Sequence, residues 1–155
     1  MDRGTKDMYE IPRAWKRLED ALRASDPKQL AALRCPKRVS EQGQTTAWYA
    51  GHDGQQPRTR PLYRGFRLMS YAEGERAWTR YRRFYRRDWN DSWRVLGKAG
   101  PHRLLCFAPH SGVYEVDVTT EPYTKKRICS GLSAWLALAT RACGVSESRV
   151  ASRTS

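Results

Sequence analysis

The chain has 155 residues, 29 of them basic and 16 acidic, for a formal net charge of +13. That length predicts one domain able to bury a core without disulfides or metals. No run of about 18 apolar residues occurs, which excludes a membrane-spanning helix, and the charge predicts salt-sensitive attraction to polyanions.

Most of the basic residues are arginine. Arginine codons are GC-rich, so genome composition is one source of such an excess, and the charge is discounted as a functional signal. The N-terminal stretch MDRGTKDMYEIPRAW lacks the apolar h-region of a secretory signal, so a cytoplasmic location is expected. Cys35, Cys106, Cys129 and Cys143 are widely and irregularly spaced, which favours free thiols over a disulfide framework. With no close C-x-x-C pair, neither a metal nor a cofactor is expected.

Residues 1–10 read as a polar leader. A first helix is expected from Pro12, a residue suited to the first turn, with Trp15, Leu18 and Leu22 as its apolar face. Ser25-Asp26-Pro27 ends it and caps a short second helix, in which Leu30 and Leu33 face inward and Pro36 is the stop. Residues 36–46, PKRVSEQGQTT, hold almost nothing to bury and read as a loop or a weak, short helix. Trp48 and Tyr49 anchor the end of a helix that stops at Gly51. His52-Asp53-Gly54 follows as a tight turn, because Asp-Gly favours the left-handed backbone conformation. A His-Asp pair also suits metal and acid–base chemistry, but the turn glycine and the absence of a nearby second histidine favour structure.

A basic, proline-bounded loop over 57–64 carries Arg58, Arg60 and Arg64, and a strand is expected over 65–69. The stretch 70–93, SYAEGERAWTRYRRFYRRDWNDSW, is the most informative of the chain. Ser70 and Glu73 form the S-x-x-E capping box of a helix start. Trp78, Tyr81, Tyr85 and Trp89 recur at three- and four-residue steps, the spacing of one helical face. Between them lie Arg76, Arg80, Arg82, Arg83, Arg86 and Arg87. The aromatic stripe reads as a face packed on a sheet. The arginines read either as a solvated face, their stems covering apolar surface, or as contacts to nucleic-acid phosphates, an acidic protein or an anionic membrane.

Beyond Trp93 the pattern changes to period two. Short strands are expected over 94–96, 103–108 and 113–118, the last with Val113, Glu115 and Asp117 on one side and Tyr114, Val116 and Val118 on the other. A short extended segment covers 127–130. Ser130 or Ser133 caps a last helix carrying Leu132, Trp135, Leu136 and Leu138, which Gly144 ends. Residues 11–143 thus form the domain, and 144–155 a flexible tail.

Taken in order, these features resemble the SUKH superfamily of immunity proteins and cell-wall-assembly-regulator relatives. The features are a Trp15 helix, W-Y-x-x-H-D-G-Q at 48–55, G-F-R-L-M-S at 65–70, a Trp-bearing helix, the hairpin LLCFAPHSGVYEVD and an S-G-L-S-A-W-L helix. The likeness covers residues 12–142, with His52, Asp53, Gly54 and Gln55 at the family's motif turn. Two departures stand out: 36–46 is short and polar where the family has an amphipathic helix and an L-P step, and the chain is far more basic than most bacterial members. The resemblance implies a single α+β domain, a mostly antiparallel sheet with helices around it, and no catalysis. Bacterial members block a cognate toxin, whereas relatives in large DNA viruses oppose host defences and some bind double-stranded RNA.

The residues themselves supply no case for an enzyme. His52, His102 and His110 lie in turns beside Gly or Pro, G-x-S-x-G is absent, and no Walker-type glycine loop occurs. Glu115 and Asp117 share a strand face and read as solvated. The expected function is therefore a non-enzymatic inhibitory protein that occludes an acidic protein partner, a cognate toxin or a host-defence protein. Its expected contacts are the nine arginines named above. The alternative is a basic protein that binds double-stranded RNA by shape and phosphate contact.

Overall fold

The computed structural model describes residues 3–40, 43–84, 89–109, 111–120 and 122–154. In order, the elements are helices α1 (Arg3–Ser25), α2 (Pro27–Ala32) and α3 (Gln44–Gly51), then strand β1 (Arg67–Leu68) and helix α4 (Tyr71–Phe84). Strands β2 (Arg94–Ala99), β3 (Arg103–Ala108), β4 (Gly112–Asp117) and β5 (Thr124–Cys129) follow, and helix α5 (Leu132–Thr154) completes the order. The five strands pair antiparallel in the order β1-β2-β3-β4-β5, flanked by helices, so the fold is α+β as the sequence implied.

Helices cover both faces of this sheet. Alternate residues of β3 go to opposite sides: Leu105 and Phe107 join Leu96, Val113, Trp15, Leu18 and Trp135 in one cluster. Leu104, Cys106 and Ala108 join Val95, Val116, Ala77, Trp89 and Trp93 in the other. A central strand buried on both sides has no polar face to show, which is why RLLCFA reads as a continuous apolar run. Strand β4 keeps the alternation expected of it, Val113 facing the first cluster and Val116 and Val118 the second.

The first helix departs from the expected start at Pro12. It begins at Arg3, and Pro12 is accommodated inside it. The reason lies across the molecule. Asp7 is buried and turns both carboxylate oxygens onto the start of α5: Oδ2 accepts from the Leu132 N–H at 3.0 Å and Oδ1 from the Ser133 N–H at 2.9 Å. The Ser133 hydroxyl donates to the same Oδ1, and the Gln44 amide donates to Oδ2 at 2.8 Å. One carboxylate therefore caps α5, satisfies donors that would otherwise be orphaned, and joins α1, α3 and α5. Neither Ser130 nor Ser133 supplies that cap, contrary to expectation. At its other end α5 continues through Gly144 to Thr154, because a single glycine costs a helix only about 1 kcal/mol and does not end it unaided.

Two further expectations are corrected. Strand β5 runs over Thr124–Cys129, not just 127–130. Its Lys125, Lys126 and Arg127 are exposed on an edge strand, where charge blocks unwanted pairing and erases the hydrophobic signal that sequence reading relies on. Trp89 does not continue the stripe of α4. It lies after the helix, next to an Asn90 turn in which Asn90 Oδ1 accepts from the Ser92 N–H at 2.9 Å and Asn90 O from the Trp93 N–H at 3.0 Å. That local chemistry overrides the helical spacing. Trp89 still meets Tyr81, the rings stacked at 6.3 Å, and packs edge-on to Trp93 at 5.0 Å. Tyr85 lies outside the described residues.

Replacing Asp7 by Ala is expected to cost about 2 kcal/mol, from the lost cap and the buried donors left behind. Asp7→Asn, which keeps one acceptor, should lose less. Urea unfolding with unchanged m-values would measure both, and a midpoint for Asp7→Ala equal to that of the parent would remove this carboxylate from the account.

Candidate binding surface

Helix α4 is placed by the turn that precedes it. Gly54 adopts φ 74°, and a Cβ there would lie 2.4 Å from the Met69 carbonyl carbon, so only glycine fits. With the turn closed in this way, Asp53 Oδ1 accepts from the Tyr71 N–H at 2.7 Å, the first residue of α4. Gln55 is buried and forms a two-way tie with Leu68, its N–H donating to Leu68 O at 3.1 Å and its Oε1 accepting from the Leu68 N–H at 2.8 Å. Its Nε2 donates to Arg60 O at 3.0 Å, and the Gln29 amide holds the neighbouring Pro61 O at 2.7 Å. His52 places Nδ1 2.9 Å from Arg34 O and Nε2 3.3 Å from Glu19 Oε1. All four residues of the motif turn are thus structural links among α1, the 57–66 loop, β1 and α4.

The capping box forms reciprocally: the Glu73 N–H donates to Ser70 Oγ and the Ser70 N–H to Glu73 Oε1, each at 3.1 Å. From this fixed start α4 lies closely on β2. A Cβ on Gly74 would come 2.4 Å from Val95 O. Ala77 is buried and Trp78 and Tyr81 half-buried against the sheet, which leaves the opposite face of the helix to water.

Three of the arginines named from sequence share that outer face. Arg76, Arg80 and Arg83 follow one another at four and three residues and, with Glu75 and Thr79, line a shallow depression of about 400 Å³. No carboxylate within ion-pair distance engages any of the three among the described residues. Arg82 is different, because its Nε donates to Asp91 at 2.8 Å and its guanidinium stacks over Trp78 at 5.2 Å. Arg60 is likewise engaged, by Asp26. Arg58 and Arg64 are exposed in left-handed conformations, φ 64° and 51°, on a loop whose Leu62, Tyr63 and Phe66 pack with the α1 and α5 side. That loop thus packs with the first cluster, whereas α4 packs with the second. Arg86 and Arg87 lie outside the described residues.

Glu115 and Asp117, which share a strand face, have separate partners. Glu115 pairs with Arg103 at 2.6 Å, while Asp117 accepts from the Thr119 hydroxyl and, at 2.9 Å, from the Thr119 N–H, which together hold its carboxyl below the usual range. His110 lies outside the described residues, and among those described no three His, Cys, Asp or Glu side chains gather to hold a metal. The four cysteines are free thiols. Burial pushes the Cys106 thiol far above its ordinary value, and burial also raises Cys129 and Cys143. No helix among the described residues is long and apolar enough to cross a membrane.

A second basic surface escaped sequence reading. Arg13, Arg17 and Arg141 meet along a groove between α1 and α5. The step from Arg13 to Arg17 was visible as a helical pair, but nothing local ties either to Arg141.

Compared with protein-family models and with curated proteins, the sequence matches none of them.

Replacing Asp53 by Ala is expected to destabilise the fold by about 1 kcal/mol and to fray the first turn of α4. Hydrogen exchange at residues 71–75 reports it, and unchanged protection there would mean that the turn does not set the helix. For the thiols, an alkylating reagent at about pH 8 should modify exposed Cys35 first, with Cys106 labelled only on unfolding. Mass spectrometry of the labelled peptides measures the order.

Proposed function

We propose that this protein is a non-catalytic binding protein of the SUKH type, which inhibits a partner by covering an acidic surface on it. One observation carries the proposal: Arg76, Arg80 and Arg83 stand on one exposed face of a helix whose start is tied down by Asp53, Ser70 and Glu73. A guanidinium on a rigid support loses less entropy on binding a carboxylate than one on a mobile loop, and arginine concentrates binding energy at interfaces. The motif turn at 48–55 and the Trp-bearing helix after a G-F-R-L-M-S strand support the family assignment.

Duplex RNA is the second reading, favoured by the further exposed cations Lys125, Lys126 and Arg127 on β5. Single-stranded nucleic acid fits less well, because Trp78, Tyr81, Trp89 and Trp93 pack on the sheet and offer no stacking platform.

Paired baits separate these readings. The parent chain should retain a protein from host extract at about 150 mM salt, and the triple variant Arg76→Ser/Arg80→Ser/Arg83→Ser should bind it at least about tenfold more weakly. Lys16→Ser, a charge removed elsewhere, should match the parent. Binding to a random-sequence RNA duplex should disappear between about 50 and 200 mM salt. If duplex binding instead persists at about 150 mM and the triple variant loses roughly two to three units of salt slope, the RNA reading takes its place.

A further inference from the structure

The groove between α1 and α5 lies on the face of the sheet opposite α4 and is walled by cations. Arg13 and Arg17 stand on one side and Arg141 on the other, all exposed. No carboxylate within ion-pair distance engages them among the described residues, although acids are present on the same helix: Asp20 pairs with Lys16 and Arg23. The floor is made of small side chains, including Ala14, Ala134 and Ala137, in a cavity of about 460 Å³. Tyr9, 62% exposed and one turn before Arg13, is the large hydrophobic residue most open to water among those described. Glu10 sits at the same end of the groove, with its Oε2 3.4 Å from the Ser133 hydroxyl oxygen.

The shape decides among anions. Arg13 and Arg17 are one helical turn apart, about 6 Å along the axis, which spaces two guanidinia for two carboxylates one turn apart on a facing helix. A lone phosphate would not need that spacing. An alanine floor lets a helix backbone approach closely, which a bulkier floor would prevent. Tyrosine beside arginine is the pairing that concentrates binding energy.

We infer that the α1–α5 groove is a second docking site, which takes an acidic α-helix of a protein partner. Arg13, Arg17 and Arg141 pair with its carboxylates, Ala134 and Ala137 lie beneath its backbone, and Tyr9 anchors one end. Occupancy of this site does not involve α4, so its test is separate from that of the α4 face.

The probe is an alanine-based helical peptide with glutamates four residues apart, titrated at about 100 mM salt and followed by NMR shifts of the amides of 13–17 and 133–141. Arg13→Ser/Arg17→Ser/Arg141→Ser is expected to weaken it at least about tenfold, as is Ala137→Trp, which fills the floor without changing charge. Lys16→Ser/Arg23→Ser should bind as the parent does. Circular dichroism confirms that each variant is folded. Three results would each overturn the inference: equal binding of a proline-broken peptide of the same composition, which marks a generic polyanion surface; inorganic phosphate competing at concentrations like the peptide's; or affinity unmoved by Ala137→Trp.

Discussion

The placement of α4 depends on the hydrogen bonds made by two side chains of one turn. Asp53 holds the first N–H of the helix, and Gln55 fixes the strand that delivers the chain to it. Neither bond is long-lived alone, since a net hydrogen bond contributes only about 1 kcal/mol. Acting together, with Gly54 closing the turn, they restrict the backbone that leads into α4. The arginine face therefore inherits its orientation from a turn that carries no arginine. Residues on that outer face can change while the frame stays, provided these polar residues remain.

Acidic residues are spent largely on architecture. Asp7 and Asp53 cap helices, Glu73 closes the capping box, and Asp26, Asp91 and Glu115 each hold one arginine. Arg76, Arg80 and Arg83 on α4, and Arg13, Arg17 and Arg141 between α1 and α5, have no such acid among the described residues and lie on opposite sides of the sheet. The net charge of +13 is thus less informative than its distribution. Arg82, which looks like its neighbours in sequence, belongs to the frame, because its guanidinium lies on Trp78 and against Asp91.

What could be read from the sequence was what local chemistry determines. Ser70 and Glu73 are three residues apart, so their reciprocal capping is a property of one helical turn and needs no knowledge of the fold. The Asp-Gly turn and β3 were legible for the same reason. Asp7 was not, because its partners at 132 and 133 meet it only after the sheet has formed, and by composition it belongs to a polar leader. Strand β5 reads short because an edge strand needs no apolar residues, and Trp89 reads as helical because its periodicity does not show the Asn90 turn that follows it. Of the candidate site, the arginines were visible but their sorting was not. Which guanidinia meet an acid depends on side chains such as Asp26, distant in the chain.

The joining of α1 to α5 also bears on how the chain matures during synthesis. The strands form a simple meander whose neighbours are consecutive, so the sheet can assemble as it leaves the ribosome. Helix α1 emerges first, but the residues it packs on, among them Trp135, Leu136 and Ala139, emerge last. Until then Ile11, Trp15 and Leu18 have an uncovered apolar side, a natural target for a chaperone. Completion of the fold thus waits on α5, and truncation within it would strand the first-made helix rather than the last.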